Sequence, residues 1–163
     1  MNLPDNYMSH VNYVTGPLHS GKTTSLRAWS DGRTDVAGIS QPVIEGQRYF
    51  VDIQSGHRML MDVPLEVEDA YTIGKYHFAI SAFAWASDVL VEALDYEAVR
   101  YLIVDEIGPL EMQGKGLHAV LEELLLSPIP GLSTILVVRD YLLDEVLVRY
   151  GVKDMATPFS YPE

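Results

Sequence analysis

The chain predicts a single α/β domain spanning residues 1–163 with a mostly parallel central sheet, and three observations carry that prediction. Tyr101–Val104 is a continuous apolar run, as expected of a strand buried on both faces of a parallel sheet, and Thr134–Val138 is a further buried strand. Around them apolar residues recur at helical spacing, so strands and helices alternate along the chain. A glycine-rich loop, Gly16–Thr23, lies between an apolar strand and a helix.

Taken in order, Val11–Thr15 is the first predicted strand and Lys22–Trp29 the first helix, released by the turn-forming Ser30-Asp31-Gly32. Val36–Ile39 is a strand that Pro42 brings to an end. Glu45-Gly46 and Ser55-Gly56 are turn dipeptides on either side of Gln47–Ile53, a run rich in aromatic and β-branched residues. With Arg58–Val63 it forms a β-hairpin or meander inserted after the first helix. Ile80, Phe83, Leu90 and Leu94 mark one face of a helix over Ile80–Leu94, and Leu117, Val120, Leu121, Leu124 and Leu125 mark another. Ser127-Pro128 and Pro130-Gly131 end the second of these. Asp140 is placed to cap a last helix running to Tyr150, which Gly151 terminates.

The bulk composition narrows the function. With 163 residues, 48% of them hydrophobic, the chain can bury a core of its own. No apolar run approaches the roughly 18 residues of a membrane span. The first six residues carry neither a basic cluster nor an apolar segment, so a cytoplasmic protein is expected. Cysteine is absent, which excludes disulfides, thiolate zinc sites and a cysteine nucleophile. Asp and Glu outnumber Lys and Arg 23 to 11, for a net charge of −12. A surface of that sign repels nucleic-acid backbones, so non-specific binding of DNA or RNA is not expected.

Gly16-Pro17-Leu18-His19-Ser20-Gly21-Lys22-Thr23 has the P-loop spacing, a glycine, four residues, then Gly-Lys-Thr. The types follow from the task. Backbone N–H groups of a tight turn and of the helix start converge on phosphate oxygens, and Gly16 and Gly21 permit the close approach. Lys22 brings a compact positive charge to the β- and γ-phosphates, the Thr23 hydroxyl is a ligand for Mg²⁺, and Thr24 reaches toward the α-phosphate. A nucleoside triphosphate is therefore the expected ligand.

Tyr101-Leu102-Ile103-Val104-Asp105-Glu106 is an apolar strand that ends in two carboxylates. After a P-loop, such an aspartate holds the magnesium shell and a neighbouring glutamate orients or deprotonates the attacking water. The sequence thus assigns Asp105 to Mg²⁺ and Glu106 to the water. Arg139, directly after the strand Thr134–Val138, is a candidate for stabilising charge on the γ-phosphate. Arg48 and Lys75 are further candidates for phosphate contacts from the inserted region.

Gly16–Thr24, Gly74-Lys75-Tyr76 and Val104-Asp105-Glu106-Ile107-Gly108-Pro109-Leu110-Glu111 together resemble the small nucleoside-triphosphatase family known from thermophiles and as the cancer-related nucleoside triphosphatase. The likeness spans about residues 11–138 and includes the inserted hairpin. It implies a RecA-like fold, a three-layer sandwich about a mostly parallel sheet, and Mg²⁺-dependent hydrolysis of several nucleoside triphosphates to diphosphate and phosphate. Lys22, Thr23, Asp105 and Glu106 take the same roles by this route. Where the family usually carries a loop glycine this chain has His19, and it lacks the Asn-Arg pair of the family's longer tail. Two other readings stay open, a P-loop kinase acting on a small acceptor and a non-catalytic nucleotide switch. His10, His19, His57, His77 and His118 show no zinc-ligand spacing, and Trp29 and Trp85 read as packing aromatics.

Overall fold

The computed structural model describes residues 9–16, 21–126 and 129–162, with Lys22 and Thr23 described in their backbone only. The elements run β1 (His10–Gly16), α1 (Lys22–Ser30), β2 (Val36–Ser40), β3 (Val43–Ile44), β4 (Gln47–Asp52), β5 (Arg58–Leu60), β6 (Ala70–Ile73) and β7 (Tyr76–Ala79). They continue with α2 (Ile80–Ala93), β8 (Tyr101–Ile107), α3 (Pro109–Met112), α4 (His118–Leu126), β9 (Ser133–Arg139), α5 (Leu143–Arg149) and β10 (Thr157–Pro158). None of the described helices is long and apolar enough to cross a membrane.

The predicted α/β class holds. The sheet runs β10-β1-β9-β8-β2-β4-β3, with β5 also on β4. Every pairing from β10 to β2 is parallel, and β4 turns the edge antiparallel. The strand that ends in the acidic pair is thus separated from the strand that leads into the glycine loop by β9 alone. The insert begins as a tight hairpin in which Ile44 faces Gln47, and Glu45 and Gly46 both adopt positive φ, 51° and 79°. That is the backbone of a two-residue turn matched to strand twist.

Each face of the sheet buries its own cluster. On one side α1 covers Val36, Ile103, Ile135 and Val137 with Leu26, while Trp29 closes the edge against Tyr101 and Phe159 at ring separations of 5.1 and 5.2 Å. On the other, α2, α4 and α5 cover Ile39, Leu102, Val104, Leu136 and Val138. Phe83 of α2 is the peg of this side. It meets Phe50 of β4 edge-on at 5.0 Å and Tyr71 of β6 at 5.3 Å, fastening both hairpins to the helix. Burying such a ring contributes about 1.5–3 kcal/mol, with about 0.5–1.5 more from each aromatic pair. Gly38 lets β2 lie against β8: its φ is +124° and a Cβ there would collide with the Ile103 backbone.

Several expectations need correction. The hairpin β6–β7 was not anticipated, because its alternation is masked by the mixed run that precedes α2. The helix expected from Asp140 starts as a 3₁₀ turn at Asp140–Leu142 before α5 begins. Its cause is local: Asp140 Oδ1 accepts the N–H of Tyr141 at 2.8 Å, a bond that competes with a helical cap. Gly151 does end this segment, with φ +68° and its N–H on Val148 O. The predicted stop at Ser127-Pro128 lies outside the described residues.

Candidate functional site

Open α/β sheets present ligands at the C-terminal ends of their parallel strands. Here β1 ends at Gly16, which pairs in register with Arg139 at the end of β9. The neighbouring β8 carries Asp105 and Glu106 past its buried run, and β2 leads into Gln41 beside them. Topology alone sets these residues in a row along one edge.

Of the phosphate loop, Gly16 and Gly21 are described. Pro17, Leu18, His19 and Ser20, and the side chains of Lys22 and Thr23, lie outside the described residues. Gly21 is the N-cap of α1 with φ 83° and ψ 16°, a left-handed conformation that favours glycine. Its carbonyl takes the N–H of Ser25 at 2.9 Å, and no side chain caps the helix. The first-turn amides of a helix are where an anion binds.

Asp105 is 1% exposed. Strand alternation places it on the α1 face, since Ile103 belongs to that cluster and Leu102 and Val104 to the other. Its Oδ2 accepts the N–H of Gln41 at 3.0 Å. Gln41 Nε2 donates to the carbonyls of Asp105 and Glu106 at 2.7 and 3.3 Å, so one amide side chain fixes the backbone beneath both carboxylates. The Asp105–Glu106 peptide is cis.

Glu106 is held from two directions. Arg48 of β4 donates Nη1 to Oε2 at 3.3 Å, and Arg139 donates Nε to Oε1 at 3.2 Å. Burial disfavours the charge on Arg139, but bonds to Tyr141 and Glu106 outweigh it and raise its pKa above the ordinary value. Two guanidinium groups thus converge on one carboxylate in a chain of net charge −12. Beside this cluster is a hollow of about 60 Å³, walled by Gln41, Arg48, Met61, Phe78, Glu106 and Arg139. A larger groove of about 610 Å³ runs between the end of α1 and the β4–β5 turn and does not touch Glu106.

Behind the acidic pair, Glu111 braces the loop that follows β8. Its Oε1 accepts the N–H of Gly108 at 2.9 Å and its Oε2 that of Leu117 at 3.2 Å. Burial pushes its pKa up to about 7, against the pull of those backbone bonds. Gly116, at φ +62°, passes so close that a Cβ would strike the Glu111 carboxylate. His118 bonds the Tyr150 hydroxyl at 2.9 Å and pairs with Glu122, and burial raises the pKa of that tyrosine.

The structure pairs Gly16 with Arg139 and sets Arg139 and Arg48 on Glu106, with Asp105 next to it on the same strand. Lys75 instead stacks over Tyr76 at 5.3 Å and does not line the hollow. Gln41 and Glu111 went unrecognised as site-building residues. Gln41 has no local signal, whereas Gly108-Pro109-Leu110-Glu111 is legible as a helix start with proline at the first position and a glutamate reaching back to the N-cap amide. Among the described residues no three or more His, Asp or Glu side chains cluster to hold a metal. Mg²⁺ does not need such a cage, because one or two hard oxygen ligands and substrate phosphates suffice.

The fold and the row of strand-end residues define an α/β protein of the P-loop nucleotide-binding class. A family model described as NTPase matches residues 12–155, and the chain belongs to that family. The chain is similar to the crystal structure of THEP1 from the hyperthermophile Aquifex aeolicus, with a TM-score of 0.69 and 13% identity over 94% of this chain and 90% of that one. At that identity the likeness speaks for the fold. No curated protein matches the chain.

Proposed function

We propose that the protein hydrolyses nucleoside triphosphates to diphosphate and inorganic phosphate with Mg²⁺, in the cytoplasm. The observation that carries this reading is Glu106, a carboxylate on the rim of a small hollow, separated by β9 alone from the strand that opens the phosphate loop. Glu106 takes a proton from a water as its oxygen attacks the γ-phosphorus. The bond from γ-phosphorus to the β,γ-bridging oxygen breaks, and the diphosphate leaves with that electron pair. The loop amides, Lys22 and Arg139 stabilise the charge on the phosphate oxygens, the largest contribution in such reactions. Mg²⁺, when bound, neutralises charge on the β- and γ-oxygens, and Thr23 and Asp105 are the residues that would hold it.

Phosphate release from a panel of triphosphates, with no acceptor added, tests the reading. Wild type should release phosphate, and Glu106→Gln should bind nucleotide yet turn over about 10²–10⁴-fold more slowly. Nucleotide binding without release, or release only when an acceptor is supplied, would refute it.

A further inference from the structure

The inserted hairpin delivers a cation into the site, and its mounting is rigid. Arg48 N–H donates to Asp62 Oδ2 at 2.6 Å, and its carbonyl takes the N–H of Met61 at 2.9 Å. Two residues along, Phe50 is fully buried against Phe83. Both backbone groups and the strand behind them are therefore fixed before any ligand arrives. The guanidinium, in contrast, is only partly engaged: Nη1 reaches Glu106 at 3.3 Å and Gln41 O at 3.5 Å. Nη2 makes no hydrogen bond among the described residues.

Arg139 has the same character from the other side. Its Nε is on Glu106, its Nη1 on the Tyr141 hydroxyl at 3.5 Å, and its backbone pairs with Gly16. The two forks face one carboxylate with donors to spare, next to the strand end where the phosphate loop begins. A γ-phosphate carries more charge than Glu106 and offers three oxygens to a planar fork.

We propose that Arg48 is a catalytic arginine supplied in cis by the insert: it is latched onto Glu106 until a triphosphate draws it to the γ-phosphate. No partner protein is then needed to complete the site. The inference rests on the hydrolytic reading above. Arginines of this kind bind the transition state more strongly than the ground state, so Arg48 contributes little to diphosphate affinity and much to the affinity of a γ-phosphate mimic.

The test compares MgADP with MgADP plus fluoroaluminate, the planar mimic of the transferring phosphoryl group, by calorimetric titration of the whole protein. Wild type should bind the fluoroaluminate complex at least about 10²-fold more tightly than ADP. Arg48→Ala should keep ADP affinity within about threefold and lose about 10²–10³ of that tightening, with a matching fall in kcat and little change in KM. Arg48→Lys, which retains the charge without the fork, should recover only part of it. It decides the matter if the alanine variant also loses ADP. Arg48→Ala or Arg48→Lys binding the fluoroaluminate complex as tightly as wild type would overturn the role of Arg48 and leave hydrolysis standing. Wild type that shows no tightening and releases no phosphate would overturn the hydrolytic reading, and the arginine proposal with it.

Discussion

Replacing Glu111 with glutamine should change how stability depends on pH, by an amount that follows from the carboxyl's surroundings. Glu111 is 3% exposed, and burial raises its pKa from 4.5 to about 7 although Gly108 and Leu117 donate hydrogen bonds to it. The unfolded chain loses this proton near pH 4.5 and the folded protein keeps it to about pH 7. Within that window the native state binds more protons than the unfolded state, so stability falls as pH rises. At about 1.4 kcal/mol per pH unit, the wild type loses about 2–3 kcal/mol through this group between about pH 5 and pH 8. Glutamine is neutral throughout and lacks the loss, while every other titrating group is common to both proteins and cancels in the comparison. The variant should therefore gain about 2–3 kcal/mol on the wild type over this range, equivalent to about 5–10 °C in midpoint. Urea denaturation of both proteins at half-unit pH steps measures it. A stability difference that is the same at both ends of the range would refute the reasoning.

Three other substitutions probe separate parts of the account. Gly38→Ala puts a Cβ into the Ile103 backbone and should cost about 3 kcal/mol or more in urea denaturation; a loss under about 1 kcal/mol would show that β2 and β8 can part there without cost. Phe83→Ala removes the ring that joins Phe50 and Tyr71 and should cost about 3–5 kcal/mol, with the hairpin amides losing exchange protection first. Lys22→Ala should abolish the thermal stabilisation by MgATP, which for wild type at ligand about 100-fold above Kd is about 2.7 kcal/mol. An undiminished rise in the variant would mean that the ammonium does not hold the phosphates.

The parallel core was legible because burial on both faces leaves a plain mark: β8 opens on the apolar run Tyr101–Val104 and β9 is apolar from Ile135 to Val138, and the helices between them keep their spacing. The phosphate loop and the acidic pair were legible because their spacing is local. What stayed hidden was non-local. Gln41 and Glu106 are 65 positions apart and Arg48 and Glu106 are 58; the pairing of β2 with β8 brings the first two together, and the placement of β4 outside β2 the second. Glu111 carries a local signal for its bond to Gly108, but its second bond, to Leu117, follows from burial that no local pattern shows. The 3₁₀ start before α5 was hidden for a related reason, since Asp140 serves a cap and a competing turn equally well.

The central claim is that water attacks the γ-phosphorus at the site formed by the glycine loop and Glu106. Turnover of a triphosphate in ¹⁸O-labelled water tests it most directly. The account predicts one solvent oxygen in each released phosphate, none in the diphosphate, and loss of this release in Glu106→Gln. Label appearing in the diphosphate, or release that persists at the wild-type rate in that variant, would contradict it.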